Sequence, residues 1–243
     1  MNGLIRFRLK GRFAHFLRAE GGVASLSYPV PPRTVIMGLV GAVLGLGKDE
    51  PQLVLRDMGV TVEGKLPVTH WHKAKLRKDP PGTLNATILK KHSAKEGKPE
   101  KATFTRQEWL FNPEYVVGTA LAEPLLSELT NRLRDRRWYF TPCLGLSELL
   151  ADIEYLETVA VAKLPQGRYR LQGVLRQDQV TIDLADMYEK GFSLRMLRMP
   201  RDVSQERVFT QAPYLYETNN SAVLGETAEA FGDERGERAW VYL

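Results

Sequence analysis

Apolar and cationic residues alternate over residues 4–10. A period of two is typical of a strand with one face in the core. The pattern therefore predicts a half-buried first strand whose open face carries Arg6, Arg8 and Lys10. These cations could bind a ligand or could simply be solvated, and the alternation favours neither reading.

The next pattern is a proline-rich approach to a small-residue apolar segment, SYPVPPRTVIMGLVGAVLG, at residues 27–45. Each proline fixes its own φ and disfavours a helical conformation in the residue before it. Thr34 is a candidate N-cap for a helix over residues 35–44. The glycines lower helix propensity, which is tolerated where a helix packs very close to a sheet. We predict a rigid turn followed by a closely packed first helix, the beginning of a β-α-β unit.

Further along, the periodicity predicts one amphipathic helix and several strands. The helix covers residues 124–137, where Leu125, Leu126, Leu129 and Leu133 share one face. The strands are predicted within residues 53–66, 106–117, 153–161 and 168–175.

Positive charge is concentrated in one segment. The chain of 243 residues has 34 Lys and Arg against 29 Asp and Glu, a net charge of +5. Residues 65–101 alone hold ten basic and three acidic residues, a local charge of +7, with a turn signal at residues 79–82. We interpret residues 66–105 as a basic β-hairpin arm. A smaller cationic cluster consists of Arg195, Arg198 and Arg201.

Several classes of protein are disfavoured. A single cysteine, Cys143, allows no internal disulfide and no cysteine-based zinc site, and it fits a reducing cytoplasm. The first residues interleave charges with apolar side chains, unlike a signal peptide. The longest apolar run, residues 35–47, is too short to span a bilayer. We expect a cytoplasmic protein with no membrane contact and no cofactor.

Three kinds of chemistry are compatible with the basic arm. His70, His72 and His92 could approach one another as metal ligands, but their cationic surroundings oppose a metal ion. Lys91 and His92 could serve acid–base cleavage of RNA. Nucleic-acid binding is favoured, because tryptophans recur beside basic residues, and cations hold phosphates while aromatic faces stack on bases.

Four stretches resemble a known family. They are residues 7–16 (FRLKGRFAHF), 27–34 (SYPVPPRT), 38–45 (GLVGAVLG) and 139–148 (YFTPCLGLSE). Together they resemble the Cas-five family of CRISPR-associated proteins, within the repeat-associated RAMP superfamily. The resemblance covers about the first 150 residues.

The resemblance implies an α+β fold. Its core would be ferredoxin-like, β-α-β-β-α-β, with an inserted β-hairpin thumb and a C-terminal extension. Residues 1–165 would then form an RNA-binding domain, with the thumb at residues 66–105. Residues 166–243 would form a β-rich extension packed on that core.

The implied function is a non-catalytic subunit of a type I CRISPR surveillance complex (Cascade), most like type I-B. It would hold the 5′ handle of the CRISPR RNA (crRNA) and contact the backbone and large subunits. Target DNA would be reached only through the complex.

Site residues come from two sources. Matching positions imply handle contacts from Arg12, His15, Tyr28 and Arg33, and backbone N–H groups near the handle from Leu144 and Gly145. Charge and aromatic content add Arg18, Trp71, Lys73, Lys75, Arg77, Lys90 and Lys91.

Two alternative functions stay open. In the type I-C branch the protein is itself a metal-independent endoribonuclease, with a catalytic tyrosine near the end of the first helix. This sequence has Leu44 there, so we expect no catalytic residue. The pair Lys91 and His92 nevertheless leaves the endoribonuclease alternative open. The second alternative is a general RNA-binding protein.

Overall fold

The computed structural model describes residues 2–18, 24–77 and 102–243. Its helices are α1 (Arg33–Leu44), α2 (Pro51–Val54), α3 (Leu125–Arg134) and α4 (Leu184–Lys190). Its strands are β1 (Asn2–Lys10), β2 (Phe13–Ala14), β3 (Phe16–Leu17), β4 (Ala24–Ser25), β5 (Ser27–Tyr28), β6 (Gly59–Glu63), β7 (Val68–Arg77), β8 (Ala102–Phe111), β9 (Glu114–Leu121), β10 (Asp152–Lys163), β11 (Gly167–Leu171), β12 (Leu175–Arg176), β13 (Thr181–Ile182), β14 (Leu194–Val203), β15 (Phe209–Glu217), β16 (Val223–Thr227), β17 (Ala230–Asp233) and β18 (Ala239–Val241). Among the described residues, no helix is long and apolar enough to cross a bilayer.

One large sheet organises the molecule. Its strand order is β13-β16-β11-β18-β17-β10-β1-β9-β6. Within it, the neighbours β10-β1, β1-β9 and β9-β6 are all antiparallel. Along the chain, these four strands and the two long helices between them follow in the order β1, α1, β6, β9, α3, β10. The expected mixed α+β class, mostly strands with few helices, is confirmed.

The C-terminal part continues the same sheet. Strands β11, β13, β16, β17 and β18 extend it beyond β10, while β12, β15 and β14 form a separate three-stranded sheet. Because β10 and β11 lie in one sheet, hydrogen bonding does not mark the boundary at residue 165. That boundary stays a prediction.

Helix α1 begins two residues earlier than the N-cap prediction. Pro32 is the N-cap, with φ −60° and ψ 158°, so the helix starts at Arg33 and not after Thr34. Proline suits this position because its missing N–H would have no partner inside the helix. The close packing expected of the glycines holds at Gly41, where a Cβ would lie 2.6 Å from Pro51 Cγ of α2. Gly38 has no such neighbour within 4 Å.

The cations of β1 pair with carboxylates of other strands in the same sheet. Arg6 is 8% exposed and lies 3.0 Å from Glu63 of β6, while its other terminal nitrogen contacts Glu157 of β10. Arg8 and Lys10 also contact carboxylates of β10. The expectation of an open cationic face is therefore wrong. Register places an acid beside each base, and these ion pairs link β1 to its neighbour β10 and, across β9, to β6.

Candidate nucleic-acid interface

Strands β7 and β8 form an antiparallel arm. Their pairing runs from Val68 opposite Phe111 to Arg77 opposite Ala102. The predicted arm, residues 66–105, therefore contains β7, but the strand that pairs with it, β8, continues to Phe111. The single strand predicted within residues 106–117 is wrong, because these residues are divided between β8 and β9. Residues 78–101 between them lie outside the described part of the chain, and so do the candidates Lys90, Lys91 and His92.

One side of the arm is exposed and basic. Trp71, Lys73 and Lys75 occupy alternate positions of β7, so they share a face. On β8, Arg106 is opposite Lys73 and Phe104 is opposite Lys75, so both join that face. All five side chains are exposed. We call these five residues the cationic face of the arm. Arg77 continues β7, but its side chain is outside the description.

Two charges of the cationic face, those of Lys73 and Arg106, are available to a ligand. The Lys73 ammonium lies 4.5 Å from the centroid of the Phe104 ring. Within the described chain, Lys73 and Arg106 have no carboxylate partner. Basic side chains can therefore meet phosphates while Trp71 and Phe104, which are 53% and 59% exposed, offer stacking surfaces. This combination suits a single-stranded nucleic acid.

An aromatic cluster occupies the opposite face of the arm. It consists of Phe13, His70, His72, Trp109 and Phe111. The His72 and Trp109 rings stack with centroids 4.1 Å apart, and Phe13 of β2 lies 5.3 Å from Trp109. The cluster therefore joins the base of the arm to the domain. His72 is stacked on Trp109 while His70 is exposed, and no group of three or more potential metal ligands comes together in the described chain.

Two of the four stretches that resemble the family meet in space: residues 7–16, the first motif, and residues 139–148, the second motif. The backbone N–H of His15 donates to the carbonyl of Leu144 at 2.9 Å, and the N–H of Leu144 donates to Leu149 O at 2.7 Å. Gly145 has a φ of +100°, and a Cβ there would lie 1.8 Å from His15 O. His15 Nδ1 in turn lies 2.8 Å from the carbonyl oxygen of Glu108 on β8. Both motifs and the arm therefore share one packed junction.

Arg33 is enclosed by protein acceptors. Its guanidinium donates to the carbonyls of Arg56 and Met58 at 2.5 and 3.0 Å, and it pairs with the carboxylate of Asp202. Only 4% of the residue is exposed. Burial lowers the pKa of Arg33, and the Asp202 charge opposes that shift. The side chain therefore joins α1, the segment after α2, and β14.

Family membership follows from the sequence as a whole. A family model described as "CRISPR-associated protein (Cas_Cas5)" matches residues 4–212. The chain belongs to this family. The resemblance carried by the four short stretches is thereby confirmed at family level. Among proteins with curated descriptions, none matches the sequence.

Solved structures share the fold of this Cas-five protein. One, named "CRISPR RNA-guided surveillance complex", aligns with a TM-score of 0.50 and 16% identity, covering 92% of this chain and 91% of that one. Another, "Crystal structure of a CRISPR protein from Archaeoglobus fulgidus", aligns with a TM-score of 0.52 and 15% identity, covering 98% and 97%. At such identities the likeness concerns the fold.

The residues carried over from the family resemblance differ in exposure. Arg12 is exposed, with its guanidinium carbon 5.8 Å from the Phe13 ring centroid, at the edge of the aromatic cluster. Arg18 is half-buried and lies 5.5 Å from the Tyr28 ring centroid. The side chains of His15, Tyr28, Arg33 and Leu144 are buried. The roles of these four residues as handle contacts stay predictions. In this arrangement their side chains pack beneath the surface.

Sequence reasoning missed two members of the cationic face of this Cas-five protein, Phe104 and Arg106. The signal was available in principle, because a hairpin places residues of one strand opposite those of the other. The register could not be read from the sequence, however, because more than twenty residues separate the end of β7 from the start of β8.

Proposed function

We propose that this Cas-five protein is a non-catalytic RNA-binding subunit of a type I CRISPR surveillance complex, and that it holds the 5′ handle of the crRNA. The family match over residues 4–212 carries the proposal. The cationic face of the arm supports RNA as the ligand, because it combines exposed basic side chains with exposed aromatic rings.

We propose that the core is ferredoxin-like and that the arm is its thumb. Three observations support this. The first four core strands in chain order, β1, β6, β9 and β10, lie in the sheet order β10-β1-β9-β6. The helices α1 and α3 fall in the two crossover connections. The arm is inserted between β6 and β9, at the turn between the second and third core strands.

The proposed mechanism is binding without base reading. Lys73, Lys75 and Arg106 neutralise phosphates, and the neighbouring rings stack on unpaired bases of any identity. Sequence recognition of target DNA then belongs to guide pairing in the complex. The backbone and large subunits are the proposed protein partners, type I-B the proposed subtype and the cytoplasm the proposed location.

The junction of His15, Leu144 and Gly145 would fix the position of the arm relative to the core. Because His15 contacts both the second motif and the carbonyl of Glu108 on β8, it ties the arm's base to the core. A fixed base gives the cationic face a defined direction relative to the domain. Preorganisation of this kind lowers the entropic cost of binding.

Removing two charges from the cationic face should weaken RNA binding. For Lys73→Gln combined with Arg106→Gln, we expect an affinity loss of about tenfold, and a salt slope smaller by about 1.4, since each phosphate contact of a single strand contributes about 0.7. Fluorescence anisotropy with handle RNA across a salt series measures both quantities.

The matched control also removes one lysine and one arginine from exposed positions. Lys163→Gln with Arg235→Gln changes the end of β10 and the turn between β17 and β18, both outside the arm, and should leave the salt slope unchanged. Equal losses in the two double variants would show a general charge effect and contradict the proposed interface.

Incubating the protein with labelled repeat RNA and EDTA tests turnover, and specific cleavage would favour the endoribonuclease alternative.

A further inference from the structure

Strand β14 lies at one edge of the three-stranded sheet β12-β15-β14. It pairs with β15 on one side, and no strand of the described chain pairs with its other side. In an antiparallel pair, alternate residues direct their N–H and C=O groups away from the partner strand. The second side of β14 therefore presents a row of backbone donors and acceptors that another strand can use.

We call residues 194–199 the open edge of β14. Their pairing with β15 is regular, and the register shifts only between Pro200 and Asp202. Pro200 has no N–H to donate, and the carbonyl of Arg201 already accepts from Arg33 of α1 at 3.2 Å. The side chain of Arg201 lines a cleft beside α2. The open edge thus ends before Pro200, and its length is that of an ordinary strand.

Side chains in the middle of the open edge are exposed on both faces of the strand. Arg195, Met196 and Arg198 are all exposed, and Met196 exposes 66% of its surface. Successive residues of a strand point to opposite faces, so Met196 and Arg198 share one face while Arg195 and Leu197 share the other. Leu197 is half-buried against the core. At these positions the described chain therefore covers neither face completely.

The charge of the open edge is positive and unpaired. Neither Arg195 nor Arg198 has a carboxylate partner within the described residues, whereas Arg201 further along the strand contacts Asp202 at 2.9 Å. Pairing with the open edge of a second copy would bring four arginines into one small junction, and like charges on neighbouring strands are destabilising. A strand with acidic side chains would instead neutralise both arginines.

Backbone spacing favours a polypeptide over a nucleic acid at this edge. A nucleic-acid strand could contact the two arginines through its phosphates. Only an extended polypeptide, however, matches the spacing of the donors and acceptors along β14. Adding a strand to an exposed sheet edge is a common mode of peptide recognition, in which backbone hydrogen bonds give affinity and alternate side chains give specificity.

We propose that the open edge of β14 binds an extended acidic segment of a partner protein, which adds to the sheet as a further strand. The segment carries acidic residues opposite Arg195 and Arg198 and apolar residues opposite Met196 and Leu197. Its pattern is therefore acidic, apolar, apolar, acidic, and this pattern is the same for a parallel and an antiparallel strand. The inference does not depend on RNA binding by the arm.

The test uses the RNA-free full chain and a fluorescent, capped peptide that contains Glu-Val-Val-Glu between flanking threonines. We expect saturable binding by anisotropy and slower hydrogen exchange in β14 by mass spectrometry. Arg195→Gln with Arg198→Gln should lower the affinity about fivefold. The same double variant should keep its melting temperature, because both side chains are exposed.

Two controls accompany the arginine variant. Lys163→Gln with Arg235→Gln removes two positive charges outside the three-stranded sheet and should leave peptide affinity unchanged. A peptide with Lys-Val-Val-Lys at its centre has the same backbone and the wrong charge, so it should not bind.

Methylation of peptide amides tests backbone pairing without changing a charge. Alternate amides of an added strand face β14, and the others face away from it. Methylating one alternate set should abolish binding, whereas methylating the other set should have little effect. Equal effects of the two sets would contradict strand addition.

Other outcomes also overturn the proposal. These are no binding at millimolar peptide, slower exchange confined to other strands, or full affinity in the arginine double variant. Loss of single-stranded RNA affinity in that variant, without an effect on the peptide, would assign the edge to RNA. Dimerisation that the variant abolishes would assign it to a second copy. Lys73→Gln with Arg106→Gln should leave peptide binding intact, which distinguishes a failure of the arm from a failure of β14.

Discussion

Replacing Arg33 with methionine should lower the free energy of unfolding by about 3 kcal/mol. The guanidinium is buried, pairs with Asp202 and donates to the carbonyls of Arg56 and Met58. Methionine preserves much of the volume but leaves those carbonyls without a donor, and unsatisfied buried acceptors are costly. Urea denaturation followed by tryptophan fluorescence measures the change.

Arg198→Met provides the control, because Arg198 is exposed on β14 and should cost less than about 0.5 kcal/mol. The same pair of variants decides what Arg33 does. Unchanged stability of Arg33→Met together with weaker handle binding would contradict the structural role and restore the direct contact implied by the family resemblance. A large stability loss with full RNA affinity of the folded fraction supports the role described here.

Gly145→Ala should be still more damaging, with a loss of about 4 kcal/mol or no folded product. The added Cβ would lie 1.8 Å from the carbonyl oxygen of His15, and a backbone atom cannot move aside as a flexible side chain can. The left-handed φ of +100° adds strain of about 1–3 kcal/mol. Thermal denaturation and soluble yield record the effect.

A matched glycine isolates the steric part of that effect. Gly236 also has a positive φ, +69°, but no atom lies within 4 Å of its Cβ position. Gly236→Ala should therefore show only the backbone strain. Similar losses at the two positions would mean that the contact between the second motif and His15 does not hold the junction together.

The sequence predicted those elements whose periodicity is long and regular. Residues 4–10 fall within β1, and the helix predicted at residues 124–137 contains α3. The charge concentration also predicted an arm that contains β7, but its partner strand was not predictable, because β8 extends beyond residue 105 into a segment that read as a separate strand. The short strands of the C-terminal part were not, because segments of two to five residues such as β12 and β16 are too short to show alternation.

The pattern of apolar and polar positions could not show which polar residues are buried. A cation on an alternating strand has the same signature whether water or a neighbouring carboxylate faces it. Only register places Glu63 and Glu157 beside Arg6. Likewise, Arg195 and Arg201 formed one cluster in the sequence, whereas a bulge separates an exposed arginine from one that lines a cleft.

The position of the crRNA on the arm is the central claim, and site-specific cross-linking within the assembled complex tests it most directly. A photoreactive nucleotide is placed either in the 5′ handle or near the 3′ end of the guide, and the cross-linked peptides are identified by mass spectrometry. We predict that the handle probe labels β7 or β8 around Trp71 and Phe104, and that the 3′ probe does not. Labelling of the arm by the 3′ probe alone, or handle labelling confined to other subunits, would contradict the account.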